Sequence, residues 1–310
     1  MDAFLQGPEG QLQIPDYKVG DEVVVSFSLE PDSTFVAVSD RWRVPALLFV
    51  TGIFALAVVV VGGWRGVRSL LALVLTLAVV LKVLLPLILA GWAPFPLAVV
   101  TATGVTIVTL VLTEGLRRTT VAAVLGTFGS LALVGLLAAA FSVLARFTQV
   151  QGSEDLVYLQ TILGPDIDLG GLLLAAVILG ALGVLDDVTI TQAAAVAEFH
   201  AADPRVGRMG LFRRTMNVGR SHIAATVNTL VLAYVGASLP LLVLFAAGHQ
   251  SPLAIASGEV VAVEVVRALA GSIGLVAAVP LTTAIAVLLV DRRLPFVGDG
   301  SGAKPAPGWS

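Results

Sequence analysis

Long apolar stretches, separated by short polar segments, dominate the chain after residue 43. Seven of them have about the 20 residues that a helix needs to cross the hydrocarbon of a bilayer. They lie approximately at 44–63, 69–90, 96–114, 121–145, 169–197, 219–246 and 270–290. The pattern therefore predicts an all-α polytopic membrane protein with about seven transmembrane helices.

Two polar or mixed segments next to these stretches predict helices that lie on the membrane surface. Residues 257–269 place Glu259, Glu264 and Arg267 among valines and alanines, a pattern that favours an amphipathic helix at the outer interface. Residues 205–220 are basic and contain Met and Phe, which favours an interfacial helix on the inner side.

The first 43 residues have a different pattern. Val23–Phe27 and Thr34–Val38 predict two short strands on either side of the turn-prone Glu30-Pro31-Asp32. Two short strands cannot hold a core alone, so this segment is expected to be part of a small β-domain or to need a partner. The division expected is an extracytoplasmic β-segment at 1–43, a transmembrane helical domain at 44–290 and a disordered, Gly/Pro-rich cytoplasmic tail at 291–310.

Basic residues are concentrated in alternate connections between the apolar stretches. Twelve of the 18 Lys and Arg residues lie on one side of the predicted membrane: Arg65, Arg68, Arg117, Arg118, Arg205, Arg208, Arg213, Arg214, Arg220, Arg292, Arg293 and Lys304. The connections on the other side are poor in basic residues. The positive-inside rule then predicts an N-terminus outside and a C-terminus in the cytoplasm.

Composition supports a lipid environment and excludes several classes of site. The chain is 57% hydrophobic and 13% charged, with a mean hydropathy of +0.97, whereas soluble domains carry about 25% charged residues. There is no cysteine, which excludes disulfides and thiolate metal sites. We expect no enzymatic activity and no cofactor, because an intramembrane aspartyl protease needs opposed aspartates on two helices and no other helix carries an intramembrane aspartate. No nucleic-acid partner is expected, because topology accounts for the arginines. There is no P-loop, so ATP-driven transport would require a separate subunit. The sequence leaves metal binding open.

Two adjacent carboxylates, Asp186 and Asp187, are the main candidates for function because they lie within an apolar stretch. A charge at the centre of a bilayer costs about 2.5–3.5 kcal/mol on insertion scales and usually faces a bundle interior or a water-filled path. Helical spacing puts Asp187 on one small and polar face, and Asp186 in a more apolar direction. That face consists of Gly180, Gly183, Asp187, Thr191 and Glu198. We therefore predict that Asp187 lines an ion or solute path, with Thr189 and Gln192 nearby. The alternative is that the hydrocarbon span ends at Leu185 and both aspartates are ordinary interfacial residues.

Other intramembrane residues are secondary candidates. Asn228 is expected either to line the path or to hydrogen-bond between helices, and Glu198 lies on the Asp187 face. Pro240 and Pro280 interrupt apolar stretches and can free backbone carbonyls, or simply kink a helix. With Gly183, Glu264 and Arg267, these two prolines form the predicted structural or gating set.

Three long stretches resemble the YibE/F family of bacterial multi-span membrane proteins. They are Gly180–Thr191 (GALGVLDDVTIT), Asn228–Pro240 (NTLVLAYVGASLP), and Glu264-Val265-Val266-Arg267 followed by Gly271–Leu275 and Pro280–Thr283. The family pattern matches at Asp187, Glu198, Asn228, Glu264 and Arg267, and departs at Ser221, where an acidic residue is expected. The resemblance implies location in the bacterial cytoplasmic (inner) membrane. It also implies an upstream anchor and a fuller extracytoplasmic β-domain, of which this chain is expected to hold the last part.

Two functions follow as hypotheses from these residues. The first is a secondary transporter or channel for a cation, a proton or a small solute, with Asp187 lining the path. The alternative is a non-transporting membrane assembly, scaffold or sensor protein. The expected partners are the lipid bilayer and, as a possibility, further copies of the chain.

Overall fold

The computed structural model describes residues 17–30, 33–147, 154–164, 167–248 and 251–290, and it is mostly helical. The chain divides into two units, residues 1–67 and residues 68–310. The tail predicted to be disordered, 291–310, lies outside the described residues.

The N-terminal strands form a two-stranded antiparallel ribbon. Strand β1 covers Val23–Glu30 and β2 covers Ser33–Arg41, with Val25 opposite Val38 and an irregular register between Val24 and Val25. The valine side chains at 24, 25 and 38 are exposed to 40–47%, as expected for a ribbon without a second layer to cover it. A hydrogen bond from the Arg43 guanidinium, together with one from the Arg41 backbone N–H, lowers the pKa of Asp40.

Helix α1, Val44–Val79, is broken at Gly63, which has φ +56° and ψ −137°. Glycine is suited to this left-handed conformation because it has no Cβ. Close to the break, a Cβ added at Gly66 would collide with the backbone carbonyl of Val58. In a continuous helix these residues would be about 12 Å apart along the axis, so the chain doubles back here. The break lies at the predicted boundary between the spans 44–63 and 69–90.

A π-helical turn at Val80–Leu84 and the short helix α2, Leu85–Leu89, follow α1. The remaining helices are α3 Pro94–Glu114, α4 Arg118–Leu144, α5 Glu154–Leu163, α6 Leu169–Ala202, α7 Arg208–Ala237, α8 Leu239–Ala247, α9 Pro252–Ser257 and α10 Glu259–Leu289. Local signals set several of their ends. Asp168 caps α6 by accepting a hydrogen bond from the Gly171 N–H, and Gly115 ends α3 with a positive φ.

Within the described ranges, five helical runs are long and apolar enough to span a membrane, and a sixth is added if α7 and α8 count as one span. The first run, Val44–Leu89, contains both of the first two predicted spans. The α7–α8 pair bends by 60° at Ser238, beside Pro240, within the predicted sixth span.

The two predicted surface helices do not exist as separate elements. Residues 259–269 continue without a break into the rest of α10, and residues 208–220 are the beginning of α7. A change in polarity along the chain does not end a helix, and neither segment is followed by the breaker that a boundary needs.

Helices α4, α6 and α10 form the centre of the second unit, with α3 packed on α6 and α7 packed on α10. Glycines allow α4 and α10 to approach closely. A Cβ at Gly126 of α4 would collide with Thr282 of α10, and a Cβ at Gly274 of α10 would collide with Val134 of α4. Small residues at helix contacts are the usual means of packing in lipid, where no hydrophobic force draws helices together.

The interior of this bundle contains two apolar clusters. The large apolar cluster includes Ala102, Val105, Leu131, Val134, Ala138, Ile178, Leu182, Leu185, Leu275 and Val279. The small apolar cluster consists of Leu110, Ala122, Ala123, Ala193, Val196, Leu211, Ala286 and Val287. The same helices contribute to both clusters, so the clusters occupy different levels along the bundle.

We predict that Gly126→Ala destabilises the protein because the added methyl group overlaps Thr282, and overpacking of this kind costs about 1–3 kcal/mol. The matched control is Gly104→Ala on α3, where a Cβ would meet nothing within 4 Å. That variant should be neutral or more stable, because alanine favours helix over glycine by about 1 kcal/mol. Thermal unfolding in detergent measures both changes, and equal melting temperatures for the two variants would contradict the close packing.

Candidate functional site

A layer of polar side chains separates the two apolar clusters. Five helices each carry at least one polar residue at the point in the sequence where residues of one apolar cluster give way to residues of the other. We call this set the polar layer: Thr106 of α3, Thr127 of α4, Asp186, Thr189 and Gln192 of α6, Thr215 of α7, and Thr282 and Thr283 of α10. All of them except the half-buried Asp186 are buried. The layer is thus an internal feature of the bundle.

Asp186 lies at one end of the polar layer, surrounded by hydroxyl groups. The Thr106 Oγ1 hydroxyl donates to the carboxylate and lies 3.0 Å from Oδ1 and 3.2 Å from Oδ2. Thr127 and Thr189 share a hydrogen bond of 2.7 Å between their hydroxyls, and the Thr189 hydroxyl also lies 3.2 Å from the backbone carbonyl of Asp186. Thr106 of α3 and Thr127 of α4 thus both hydrogen-bond to the carboxylate, and the Thr189 hydroxyl of α6 bonds to Thr127 beside it.

Thr106 uses its hydroxyl differently from its neighbours on α3. Thr103, Thr109 and Thr113 each donate to the carbonyl four residues earlier, at 2.8–2.9 Å. Such a bond satisfies a threonine without help from another helix. Thr106 instead donates its hydroxyl proton to the Asp186 carboxylate on another helix.

Gln192 organises the other end of the polar layer. Its side-chain amide donates to the backbone carbonyl of Thr215 at 3.1 Å and to the Thr283 hydroxyl at 3.0 Å. Gly219 makes room for it, because a Cβ there would lie 2.9 Å from Gln192 Nε2. This buried amide joins α6 to α7 and α10.

Two buried hydroxyls have no hydrogen-bond partner among the described residues. They are Thr282 Oγ1, within the polar layer, and Ser130 Oγ, one turn from Thr127 on α4. A buried hydroxyl without a partner is unusual and costs free energy. Beside Thr106 and Thr127 there is also a cavity of about 10 Å³, lined by Thr103, Val124, Phe128 and Leu131 in addition. The layer therefore combines unused polar groups with a space close to the size of one water molecule.

Asp186 has no positive counter-charge among the described residues. No Lys, Arg or His side chain forms an ion pair with it in the part of the chain that the structure describes. Hydroxyl dipoles alone face the carboxylate there. A charge removed from water in this way is costly unless a cation or a proton neutralises it.

The predicted α6 face is on the outside of the described bundle. Gly180, Gly183, Asp187, Thr191 and Glu198 are all exposed, and Asn228 of α7 is exposed too. These five residues share one face of α6, as the spacing predicts, whereas Asp186 lies on another side of the helix, against Thr106 of α3. A path along Asp187 remains a prediction, since nothing in the geometry tests it.

The predicted gating residues occupy separate places. Pro240 lies in the first turn of α8 beside the 60° bend, and Pro280 lies inside α10, two residues before Thr282. Glu264 and Arg267 form a half-buried ion pair at 2.7 Å on α10. Glu264 also lines an apolar groove of about 250 Å³ between α7, α8 and α10.

Thr106, Thr127 and Thr215 were missed from the sequence, while Thr189 and Gln192 were noticed only as neighbours of the aspartates. A usable signal exists in the chain. Thr215 lies in the basic segment before its stretch and carries no such signal, but Thr106 and Thr127 lie eight and six residues from the predicted cytoplasmic ends of their apolar stretches, at 114 and 121. Aligning the stretches by depth, instead of reading each one alone, would bring them to one level.

The comparisons with known proteins agree with the resemblance seen in the sequence. A family model described as YibE/F-like protein matches residues 50–292, which is most of the chain. The matched range contains every residue of the polar layer. Comparisons with curated proteins and with solved structures find no match.

We predict that Gln192→Met destabilises the bundle by about 1–3 kcal/mol, because methionine keeps most of the volume but donates no hydrogen bond to Thr215 or Thr283. Thr191→Ala is the matched control. Thr191 is exposed and comes directly before Gln192 on the same helix, and surface substitutions usually change stability by less than about 0.5 kcal/mol. Thermal unfolding in detergent provides the measurement. A Gln192→Met protein as stable as the control would show that the amide does not join the three helices.

Proposed function

This chain belongs to the YibE/F-like family, and from that premise we propose that it is a secondary transporter that moves a small cation through the polar layer. The single observation that carries the proposal is Asp186, a carboxylate held by threonine hydroxyls from neighbouring helices and without a counter-charge in the described residues. Carboxylates in membrane-spanning helices mark ion paths and proton relays in many transporters.

The position of the polar layer favours a transporter over an open channel. The large and the small apolar cluster close the layer at both levels, so a bound ion would be occluded from water on either side. An occluded site near the middle of the membrane is typical of alternating access, in which one side opens at a time. No chemical step is part of this function.

The geometry also changes which aspartate we propose as the functional one. Asp186 has hydroxyl partners on two other helices, whereas Asp187 is exposed outside the described bundle. We therefore propose Asp186 as the residue that binds the cation, in place of Asp187.

For the topology we propose seven crossings, with the N-terminus outside and the C-terminus in the cytoplasm of a bacterial inner membrane. Two observations support this number. The Val44–Leu89 run would be about 69 Å long as one helix, more than twice the ~30 Å hydrocarbon thickness, and it is broken at Gly63. The bent α7–α8 pair provides another crossing. In this orientation the small apolar cluster is on the cytoplasmic side.

The second candidate function is a non-transporting assembly or sensor protein, and one observation favours it. The interior is packed, and the cavity beside the polar layer measures only about 10 Å³. In this alternative the polar layer specifies helix packing, and the exposed polar face of α6 contacts a partner. An ion-flux measurement separates the two functions.

We predict that Asp186→Asn abolishes transport. Proteoliposomes that contain Na⁺-sensitive and pH-sensitive dyes, with imposed ion gradients, would measure the flux. Asparagine keeps the shape of the side chain and one acceptor oxygen but removes the charge, so we expect a loss of at least about tenfold, equivalent to 1.4 kcal/mol. Asp187→Asn is the matched control and should retain flux.

The reverse result, with loss only in Asp187→Asn, would contradict the assignment to Asp186 and restore the path along the exposed face. Absence of flux in the wild-type protein under all gradients would favour the non-transporting function. Elution as a monodisperse peak and an unchanged melting temperature would show that each variant is folded.

We predict opposite labelling of single cysteines at two exposed positions, Ile162 of α5 and Ala201 at the end of α6. The chain has no natural cysteine, so each substitution gives a unique label. An impermeant maleimide should react with Ile162→Cys in intact cells and with Ala201→Cys only after the membrane is opened. Labelling of both from outside would refute the proposed orientation.

A further inference from the structure

We propose that the Asp186 end of the polar layer is a binding site for one dehydrated Na⁺ ion, coordinated by the Asp186 carboxylate and the hydroxyls of Thr106, Thr127 and Thr189. Its role as the transported or coupling ion depends on the proposed function, but the binding itself does not. The site is supported by its oxygen ligands, its single negative charge, the tight packing around it and an alternative hydrogen-bond acceptor for Thr106.

The donor atoms are all oxygens and come from three helices. Thr106 Oγ1 lies 3.0 Å and 3.2 Å from the two carboxylate oxygens, and the hydroxyls of Thr127 and Thr189 are 2.7 Å apart. Hard cations prefer oxygen ligands, and an ion that leaves water needs several of them to replace its hydration shell. Contacts this short between oxygens from α3, α4 and α6 are what coordination of one small ion requires.

The charge of the site selects a monovalent ion. Asp186 contributes a single negative charge, and no basic side chain pairs with it among the described residues. One Na⁺ neutralises this charge. Ca²⁺ would leave a net positive charge in a low-dielectric region, and it takes six to eight oxygens, often from several carboxylates, while Mg²⁺ keeps several of its waters.

The field of the carboxylate and the tight packing beside it favour Na⁺ over K⁺. The neighbouring cavity, which Thr106 and Thr127 line and Asp186 does not, measures about 10 Å³, the lower limit for one water molecule. There is therefore little space beside these two hydroxyls for a hydrated ion. A carboxylate also has a stronger field than carbonyl oxygens, which favours the smaller of two monovalent cations.

Thr106 has an alternative acceptor for its proton when a cation arrives. Three threonines on the same helix donate to the carbonyl four residues earlier, and for Thr106 that carbonyl belongs to Ala102. Rotation of the hydroxyl to this acceptor would free both carboxylate oxygens and turn the Thr106 lone pairs towards the ion. The site can therefore exchange a hydrogen bond for a cation without leaving a donor unpaired.

The test is the melting temperature of the detergent-purified protein in NaCl, KCl and choline chloride at equal ionic strength. A ligand that binds only the folded state stabilises it in proportion to the logarithm of its concentration. We expect Na⁺ to raise Tm by about 3 °C or more relative to choline, with a further rise at each increase in Na⁺ concentration, and K⁺ to have little effect. Asp186→Asn and Thr127→Val should lose the Na⁺ response, whereas Asp187→Asn and Thr191→Val should keep it.

Thr127→Val and Thr191→Val form a matched pair, because each replaces a hydroxyl with a methyl group, and they test the site even if Asp186→Asn fails to fold. Equal stabilisation by Na⁺ and K⁺, or a full Na⁺ response in Thr127→Val, would overturn the proposal. Na⁺-specific stabilisation without any flux would leave the site intact and refute transport. A proton flux that is independent of Na⁺, in a protein that Na⁺ does not stabilise, would refute the Na⁺ site and leave the transport function intact.

Discussion

A carboxylate inside a helical bundle in lipid must have its oxygens hydrogen-bonded or its charge neutralised, because no bulk water is available to do either. Threonine is suited to this purpose. Its hydroxyl can bond to its own helix while the chain inserts and then turn to a partner on another helix. The arrangement around Asp186 follows from this property, since Thr106 donates across the helix contact while its neighbours on α3 donate within their own helix.

The helices can only share such bonds if their backbones approach closely. The glycines at the contact between α4 and α10 provide this approach, and Gly219 provides it beside Gln192. The apolar clusters on either side of the polar layer then exclude solvent from it. Packing and polar chemistry are coupled at Gly219, because the space that it leaves holds Gln192, whose amide hydrogen-bonds to α7 and α10.

The helical nature of the chain and most of its helix ends could be predicted from apolar length and from glycine or proline signals, including the break at Gly63. The orientation of α6 could not. In a soluble protein the apolar face of a helix points to the core, but lipid is as apolar as a core, so polarity does not reveal which face is inside. The prediction of a path along the small, polar face of Asp187 rests on the different rule that charges within a membrane face a bundle interior or a water-filled path. The direction of Asp186 depends on hydroxyls from α3 and α4, which no reading of α6 alone contains.

The contact between α4 and α10 also limits how this bundle can rearrange. Val134 of α4 occupies the space above Gly274, and Thr282 of α10 occupies the space above Gly126. Each helix thus places a side chain into a notch on the other, in opposite directions. Sliding of one helix along the other would have to withdraw both side chains at once, so shear motion between them is blocked. Hinge bending is a motion that leaves this contact intact, and the 60° bend between α7 and α8 is where the backbone already departs from a straight helix.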